Sequence, residues 1–323
     1  MSTGEPAVSV IVPTYRRPTH LRACLEGLRA QSRPAREVVV VRRAGDEETR
    51  RVVAEHEPGS LVEVVVDVPG VLAAMHAGIE RATGNVIAFS DDDVVPRPDW
   101  LVRLLEHLAD PGVGGVGGRD HTPQSVPPFT EDVGRISRWG KLVGNHHVGA
   151  GPARDVDVIK AVGAYRREAL ALPAGLRGEG AQVHFEVALC LWARKHGWRL
   201  VYDPAIVVDH HPAPRYDADR RGAPTFRAVR DATYNFVACL LTLERGLFVR
   251  RAVFGVVVGD RSMPGLARAA LALAQREWPT VRQLPASLLG QIEALWDVAR
   301  GRGVVMVSAA RPAEARPRPP RTG

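Results

Sequence analysis

Three consecutive carboxylates, Asp91-Asp92-Asp93, close a strand-length apolar run, Val86-Ile87-Ala88-Phe89-Ser90. Acids packed this closely repel one another unless solvent or a cation relieves them. Pro96 and Pro98 follow, and an amphipathic segment opens at Asp99-Trp100-Leu101. Strand, acidic tip, proline-broken loop and helix is how an α/β domain presents carboxylates at the carboxyl edge of its sheet, where such folds bind ligands. Two readings are open to the tip: a solvated acidic turn, or a seat for a divalent metal ion.

The elements that must position this tip alternate. Residues 8–12 read as a buried strand stopped by Pro13. A loop over 14–18 follows, and Thr19 is expected to cap a helix with Leu21, Cys24, Leu25 and Leu28 at helical spacing. A second strand over 37–41 carries Arg42 and Arg43 at its edge. A polar helix is predicted over 46–55, a third strand over 61–66, and a helix over 71–82 ended by Gly84 as a left-handed cap. Such alternation predicts right-handed crossovers and a largely parallel sheet with helices on both faces.

Beyond the helix over 99–109, the run Val113-Gly114-Gly115-Val116-Gly117-Gly118 lacks the lysine and spacing of a P-loop, and reads as a strand or turn pressed against other backbone. Residues 119–154 have poor periodicity and read as a functional loop or lid, with Trp139 and His146-His147 inside it. Short strands near a sheet edge are expected at 156–158 and 163–167. A helix running to Lys195 comes next, then strand-like residues 199–208 ending in Asp209-His210-His211-Pro212.

The 323 residues fit one large domain, or one domain with an appendage, and 45% hydrophobic content allows a full core. The net charge of +7 suits an anionic partner such as a nucleotide or phospholipid surface. No aromatic-interleaved basic motif or zinc-finger spacing favours nucleic acid. Cys24, Cys190 and Cys239 are odd in number and widely spaced, as expected of buried thiols in a reducing compartment. No signal-peptide core is read in the first seven residues and no apolar run reaches transmembrane length, so a cytoplasmic protein is expected. After Pro214 the texture changes. Residues 226–300 read as helices whose apolar faces are broken by Arg245, Arg250 and Arg251. They suit a helical appendage, or an interfacial helix on anionic lipid at the inner face of the cell membrane. The expected division is 1–214 for the main domain, 215–308 for the helical region and 309–323 for a disordered Pro/Arg-rich tail.

Taken in order, these pieces resemble the family 2 glycosyltransferases, inverting enzymes of GT-A fold that use nucleotide-sugars. The matching pieces are the strand and loop from Val8 to Pro18, the strand 37–41, the helix end Ala77-Gly78-Ile79-Glu80-Arg81-Ala82-Thr83-Gly84, the DxD-like Ala88-Phe89-Ser90-Asp91-Asp92-Asp93, and Trp100-Leu101. Val156-Asp157 with Gly163-Ala164-Tyr165-Arg166-Arg167 is similar to the segment flanking sugar and acceptor. The similarity spans residues 7–212. It implies a mostly parallel α/β sheet flanked by helices, a nucleotide-sugar donor, Mg²⁺ or Mn²⁺, and a glycan, lipid-linked or small-molecule acceptor. Pro13, Thr14, Tyr15, Arg17, Arg42, Asp91 and Asp92 would bind the donor. Asp93, with Asp91 and His210, would hold the metal, and Asp157, Tyr165, Arg166 and His184 would flank sugar and acceptor. Strand alternation would set Asp91 and Asp93 on one side and turn Asp92 away. Glu186 would be the base that takes the acceptor hydroxyl's proton.

Three departures from the family pattern stand out. Arg42-Arg43 stands where most members carry an Asp, and either Arg42 or Asp46 would then meet the nucleotide. Met75-His76 replaces a common Arg or Asn, and Phe185 replaces the first acid of the pair that ends in the base. They keep two alternatives open: a non-catalytic relative that binds nucleotide or a partner, and a nucleotidyltransferase, which the loop Pro13-Thr14-Tyr15 does not favour.

Overall fold

The computed structural model describes residues 6–56, 61–214, 216 and 224–311. Its first half is a run of βα units. β1 (Val8–Thr14), α1 (Pro18–Arg29), β2 (Glu37–Arg43), α2 (Glu47–Ala54), β3 (Leu61–Val66), α3 (Val71–Arg81) and β4 (Val86–Phe89) follow one another. The four strands pair in parallel in the order β3-β2-β1-β4. Runs such as Val39-Val40-Val41 are fully buried, as a sheet covered on both faces requires.

Two local expectations change. Arg17, not Thr19, precedes the first turn of α1, and Pro18 opens that turn, where a missing N–H costs nothing. α3 ends at Arg81 with Ala82 extended, so Gly84 is no left-handed cap. A Cβ at Gly84 would stand 2.4 Å from the Ala7 carbonyl oxygen, so close backbone approach requires the glycine.

The second half pairs over longer distances. β5 (Val94–Pro96), α4 (Trp100–Leu108) and β6 (Val113–His121) are followed by a small hairpin of β7 (Arg135–Ile136) and β8 (Leu142–Val143). Then come β9 (Arg154–Asp155), β10 (Gly163–Arg166), β11 (Ala171–Ala174), α5 (Phe185–Lys195) and β12 (Arg199–His210). The main sheet continues β4-β10-β6-β12-β5, with β9 also on β12. β10 therefore sits inside the sheet, antiparallel to both neighbours, and not near an edge. The glycines of β6 admit close packing: Cβ atoms at Gly114 and Gly118 would come within 2.6 Å of Trp198 and 2.2 Å of the Ile206 carbonyl.

α6 (Phe226–Leu243), α7 (Phe248–Val253), α8 (Leu266–Ala274), α9 (Trp278–Ala299) and β13 (Val305–Ser308) complete the described chain. α6 buries Phe236, Val237, Cys239 and Leu240 in the core that also holds Val187 and Leu191 of α5 and Ile11 of β1. β13 returns to pair with β11. The expected tail therefore begins ordered: the Ala309 N–H donates to the Leu170 carbonyl at 2.9 Å, and Arg311 to the Ala82 carbonyl at 3.1 Å. Residues 312–323 lie outside the described residues, as does most of the charged stretch after Pro214. Among the described residues no helix is long and apolar enough to cross a membrane.

Candidate functional site

The strand ends β1, β2 and β4 open on a cleft of about 470 Å³. Its walls are residues 13–17, Arg43, residues 69–71, residues 91–93, Phe185 and Tyr216, among others. A second depression between Arg177 and Asn235 has about 30 Å³, little more than a water requires.

The three acids form a turn between β4 and β5, outside either strand. Strand alternation therefore does not apply, and all three line the cleft. Asp92 is buried and neutralised: Thr14 Oγ1 donates to its Oδ2 at 2.9 Å and Arg17 Nη1 to its Oδ1 at 2.7 Å. The same guanidinium donates through Nε and Nη2 to the Pro214 carbonyl at 3.1 and 2.8 Å, tying the first loop to the chain after β12. Asp93 accepts from the Ala213 N–H at 2.9 Å, and its carbonyl accepts from the His211 N–H at 2.8 Å. Burial works against its charge, but His210, the Ala213 N–H and Arg17 together hold its carboxyl well below the usual range.

His210 bridges Asp93 and Asp120. Its Nδ1 is 2.9 Å from Asp120 Oδ1. Its buried Nε2 is 3.3 Å from Asp93 Oδ1 but makes no aligned hydrogen bond. Asp91 differs from its neighbours. Its carboxylate opens on the cleft and accepts no hydrogen bond from a described side chain, while Cys24 Sγ and Ser90 Oγ donate to its backbone carbonyl at 3.5 and 3.3 Å. Although the side chain is exposed to the cleft, the protein packed around it and the charge of Asp93 raise its carboxyl above the ordinary value.

These donors suit a divalent cation. Asp91 carries a charge in need of relief, and Asp93 is held ionised. Burial works against the charge of His210, but pairing with Asp120 and Asp93 raises its imidazole to about 9, so it would offer Nε2 to a cation only on shedding its proton. Carboxylate and imidazole together fit Mg²⁺ or, better, Mn²⁺. Among the described residues no three His, Cys, Asp or Glu side chains form a ready-made cation cage. A metal seated by two carboxylates and completed by substrate phosphates needs none.

Pro13, Thr14, Tyr15 and Arg17 line the cleft. Tyr15 stands edge-on to Tyr216 with centroids 6.3 Å apart, under the guanidiniums of Arg16 and Arg43 at 5.1 and 5.3 Å. Arg42 is a correction. Successive strand residues face opposite ways, and its side chain leaves the cleft to pair with Glu63, while Arg43 takes the cleft side. Asp46 caps α2, accepting from the Thr49 N–H at 3.2 Å, and also accepts from the Arg16 N–H at 2.6 Å; it holds the loop rather than lining the cleft.

The implied acceptor residues are not gathered at the cleft. In the β4–β10 register Arg166 stands opposite Val86, the far end of β4 from the acids. Its guanidinium donates to the carbonyls of Val113 and Asp110 at 2.8 and 3.1 Å. Tyr165 is fully buried and donates to the Lys160 carbonyl at 2.8 Å. Asp157 accepts from the Ile136 N–H at 2.6 Å and pairs with Arg194 at 2.8 Å. His184 packs edge-on against Phe236 at 5.3 Å. Glu186 sits in the first turn of α5 beside Phe185, which lines the cleft; Glu186 itself is not in the cleft wall. Asp120, the partner of His210, was missed by sequence reasoning. Its one sequence signal is its place at the polar end of the Gly-rich strand. His146, expected on a solvated lid, is buried against Tyr202 instead.

Residues 6–223 match the family model described as "Glycosyltransferase like family 2", well over half of the chain. The chain belongs to this family. Glycosyltransferase AglE of Haloferax volcanii is 31% identical over 123 residues, 36% of this chain and 40% of AglE. The putative glycosyltransferase EpsH of Bacillus subtilis is 32% identical over 107 residues, 32% of this chain and 31% of EpsH. The chain thus spans less than half the length of these relatives. Among solved structures, mannosyltransferase PcManGT from Pyrobaculum calidifontis, in complex with GDP-Man and Mn²⁺, matches with a TM-score of 0.56 and 22% identity, covering 91% of this chain and 88% of that one. TarS 1-349 of S. aureus in complex with UDP-GlcNAc matches with a TM-score of 0.56 and 12% identity over 92% of each. The fold of the family 2 chain is therefore GT-A, as its sequence implied.

Proposed function

We propose that this chain transfers a sugar from a nucleoside-diphosphate sugar to an acceptor hydroxyl, with inversion at the anomeric carbon. The reading rests on one observation: Arg17 and Thr14 of the first loop and the acids of the β4–β5 turn share one cleft and are bonded to each other. Tyr15 would stack on the nucleobase, with Arg43 beside it. Asp91 and Asp93, with His210 Nε2 in reach, would hold Mg²⁺ or Mn²⁺, which neutralises charge on the diphosphate as it leaves. Glu186 would take the acceptor proton as that oxygen bonds the anomeric carbon and the bond to phosphate breaks on the opposite face. GDP-mannose and UDP-GlcNAc, bound by the two structural neighbours, are the first donors to try. A glycan, lipid-linked sugar or small molecule would be the acceptor.

Glu186 lies outside the cleft wall, and this favours one second reading, a relative that binds nucleotide without transfer. Turnover of a donor panel with Mn²⁺ separates the two. Asp93→Ala should lose at least about a hundredfold in turnover together with its metal dependence. Glu186→Gln should lose a comparable factor and keep donor binding. A wild-type chain that binds nucleoside diphosphates but turns over no donor–acceptor pair would leave the binding reading standing.

A further inference from the structure

α8 leaves its leucines uncovered, Leu266 and Leu273 on one side, two turns apart, and Leu271 on the other. It buries Ala269 and Ala272 and exposes Leu266, Leu271 and Leu273, by 53%, 51% and 52%. A surface helix ordinarily turns its leucines inward and leaves small or polar residues outside. Trp278, 53% exposed, opens α9 directly after it. On α7, Val249 and Val253, one turn apart, are exposed as well, and Val257 and Val258 continue the apolar surface. These residues belong to one stretch of chain, 249–278, and exposed apolar side chains gathered in such a stretch suit a docking site.

The charges identify the occupant. Residues 245–282 carry seven arginines against Asp260 and Glu277. Arg268 and Arg261 pair with Glu277. Arg245, Arg250, Arg276 and Arg282 are exposed and form no ion pair among the described residues. Beneath them Arg251 is buried with no carboxylate bonded to it, its charge held near the rings of Phe236 and Phe254. The tip of the β7–β8 hairpin abuts α7, since a Cβ at Gly140 would come within 3.1 Å of Arg251 Cδ. That tip exposes Arg138, Trp139 and Lys141.

Exposed leucines and Trp278 interspersed along the chain with unpaired arginines fit an anionic lipid surface, with apolar side chains at the acyl boundary and guanidiniums on phosphates. A second copy would bring the same unpaired arginines against these. The chain after 311 carries Arg316, Arg318 and Arg321 against Glu314 and has the same sign. We propose that the α7–α8 segment and the start of α9 dock this protein on anionic membranes, independently of whether sugar transfer is the activity.

Flotation of the full chain tests this, with vesicles of phosphatidylcholine alone and of phosphatidylcholine with phosphatidylglycerol. The chain should float with the anionic vesicles and be released by salt. The triple variant Leu266→Ser, Leu271→Ser, Leu273→Ser should float at least about tenfold less. Because these leucines are exposed, its thermal midpoint should match wild type, which separates lost docking from lost folding. Arg250→Gln with Arg276→Gln should remove the preference for anionic lipid. Failure of wild type to float, or a triple variant that floats equally well, overturns the proposal. So does a wild-type dimer in light scattering that the triple variant dissolves, which would assign the face to a second copy.

Discussion

The main sheet has two halves, and they are held in different ways. A first wall of β1, β2 and β4 lines the cleft, and a second wall of β6, β10 and β12 lies outside the cleft lining. On the wall of β1, β2 and β4, each working side chain leaves within a few residues of a strand end, as Thr14, Arg43 and Asp91 do, so a hydrogen-bonded ladder fixes its origin. On the wall of β6, β10 and β12, the long segment after His121 has little ladder of its own. Single polar contacts pin it: His146 Nε2 with the Val158 carbonyl at 3.0 Å, Tyr202 Oη donating to the His146 carbonyl at 3.0 Å, and Asn145 Nδ2 donating to the Asp132 carbonyl at 2.9 Å. The first wall should tolerate most single changes. The second should fail pin by pin, and one residue, Arg17, joins the two.

Replacing that joint should have the largest effect. Arg17→Ala leaves Asp92 buried with Thr14 alone and releases Pro214. Removing one partner of such a pair costs on the order of 3 kcal/mol. Denaturant unfolding should register that loss, and nucleoside-diphosphate binding should fall with it. Arg17→Lys should recover part of the stability, since an ammonium can meet Asp92 but cannot also fork to the carbonyl. If Arg17→Ala matches wild type in both measurements, the walls are not joined there.

Acid should undo the second wall before the first. Burial, with the charge of Lys160, pushes the His146 imidazole down to about 4, below its ordinary value, so the fold holds it neutral. A depressed base stabilises the fold above its unfolded pKa and loses that contribution as protons are taken up. The loss should therefore run from about pH 6.5 down to about 4 and reach on the order of 3 kcal/mol. Hydrogen exchange across residues 130–158 should accelerate in that window, while β1 and β2 stay protected. His146→Phe should flatten the dependence. Equal protection of both walls through the window would erase the distinction.

The same difference explains what was legible. Local alternation of strand and helix exposed β1 to β4, the DxD-like turn and residues 13–17, because each signal there is carried by a short run of sequence. The position of β10 inside the sheet was not legible, since its antiparallel pairing with β6 and β4 joins residues 46 to 50 and 74 to 80 positions apart. Tyr165 and Arg166 were drawn to the acceptor side by the resemblance alone, which carries no strand register. Periodicity does not show which end of a strand lies beside Val86 and which beside Phe89. Asp120 went unseen because only the fold brings it to His210. The leucines of α8 were read as helix, correctly, but composition does not say which face of a helix is covered.

The smallest effect concerns Arg42 and Arg43, where strand alternation decides between neighbours. Arg43 faces the cleft over Tyr15, whereas Arg42 is buried on the other side with Glu63. Arg43→Ala should lower affinity for a nucleoside diphosphate by about tenfold, the loss of one cation–π and phosphate-facing charge, and leave unfolding almost unchanged. Arg42→Ala should do the reverse, costing roughly 1 kcal/mol of stability through the lost pair with the half-exposed Glu63 and sparing nucleotide affinity. Calorimetric titration and denaturant unfolding of both variants separate the outcomes. If Arg42→Ala is the one that loses nucleotide, β2 presents its other face to the ligand and the Tyr15 stack is not part of the donor site.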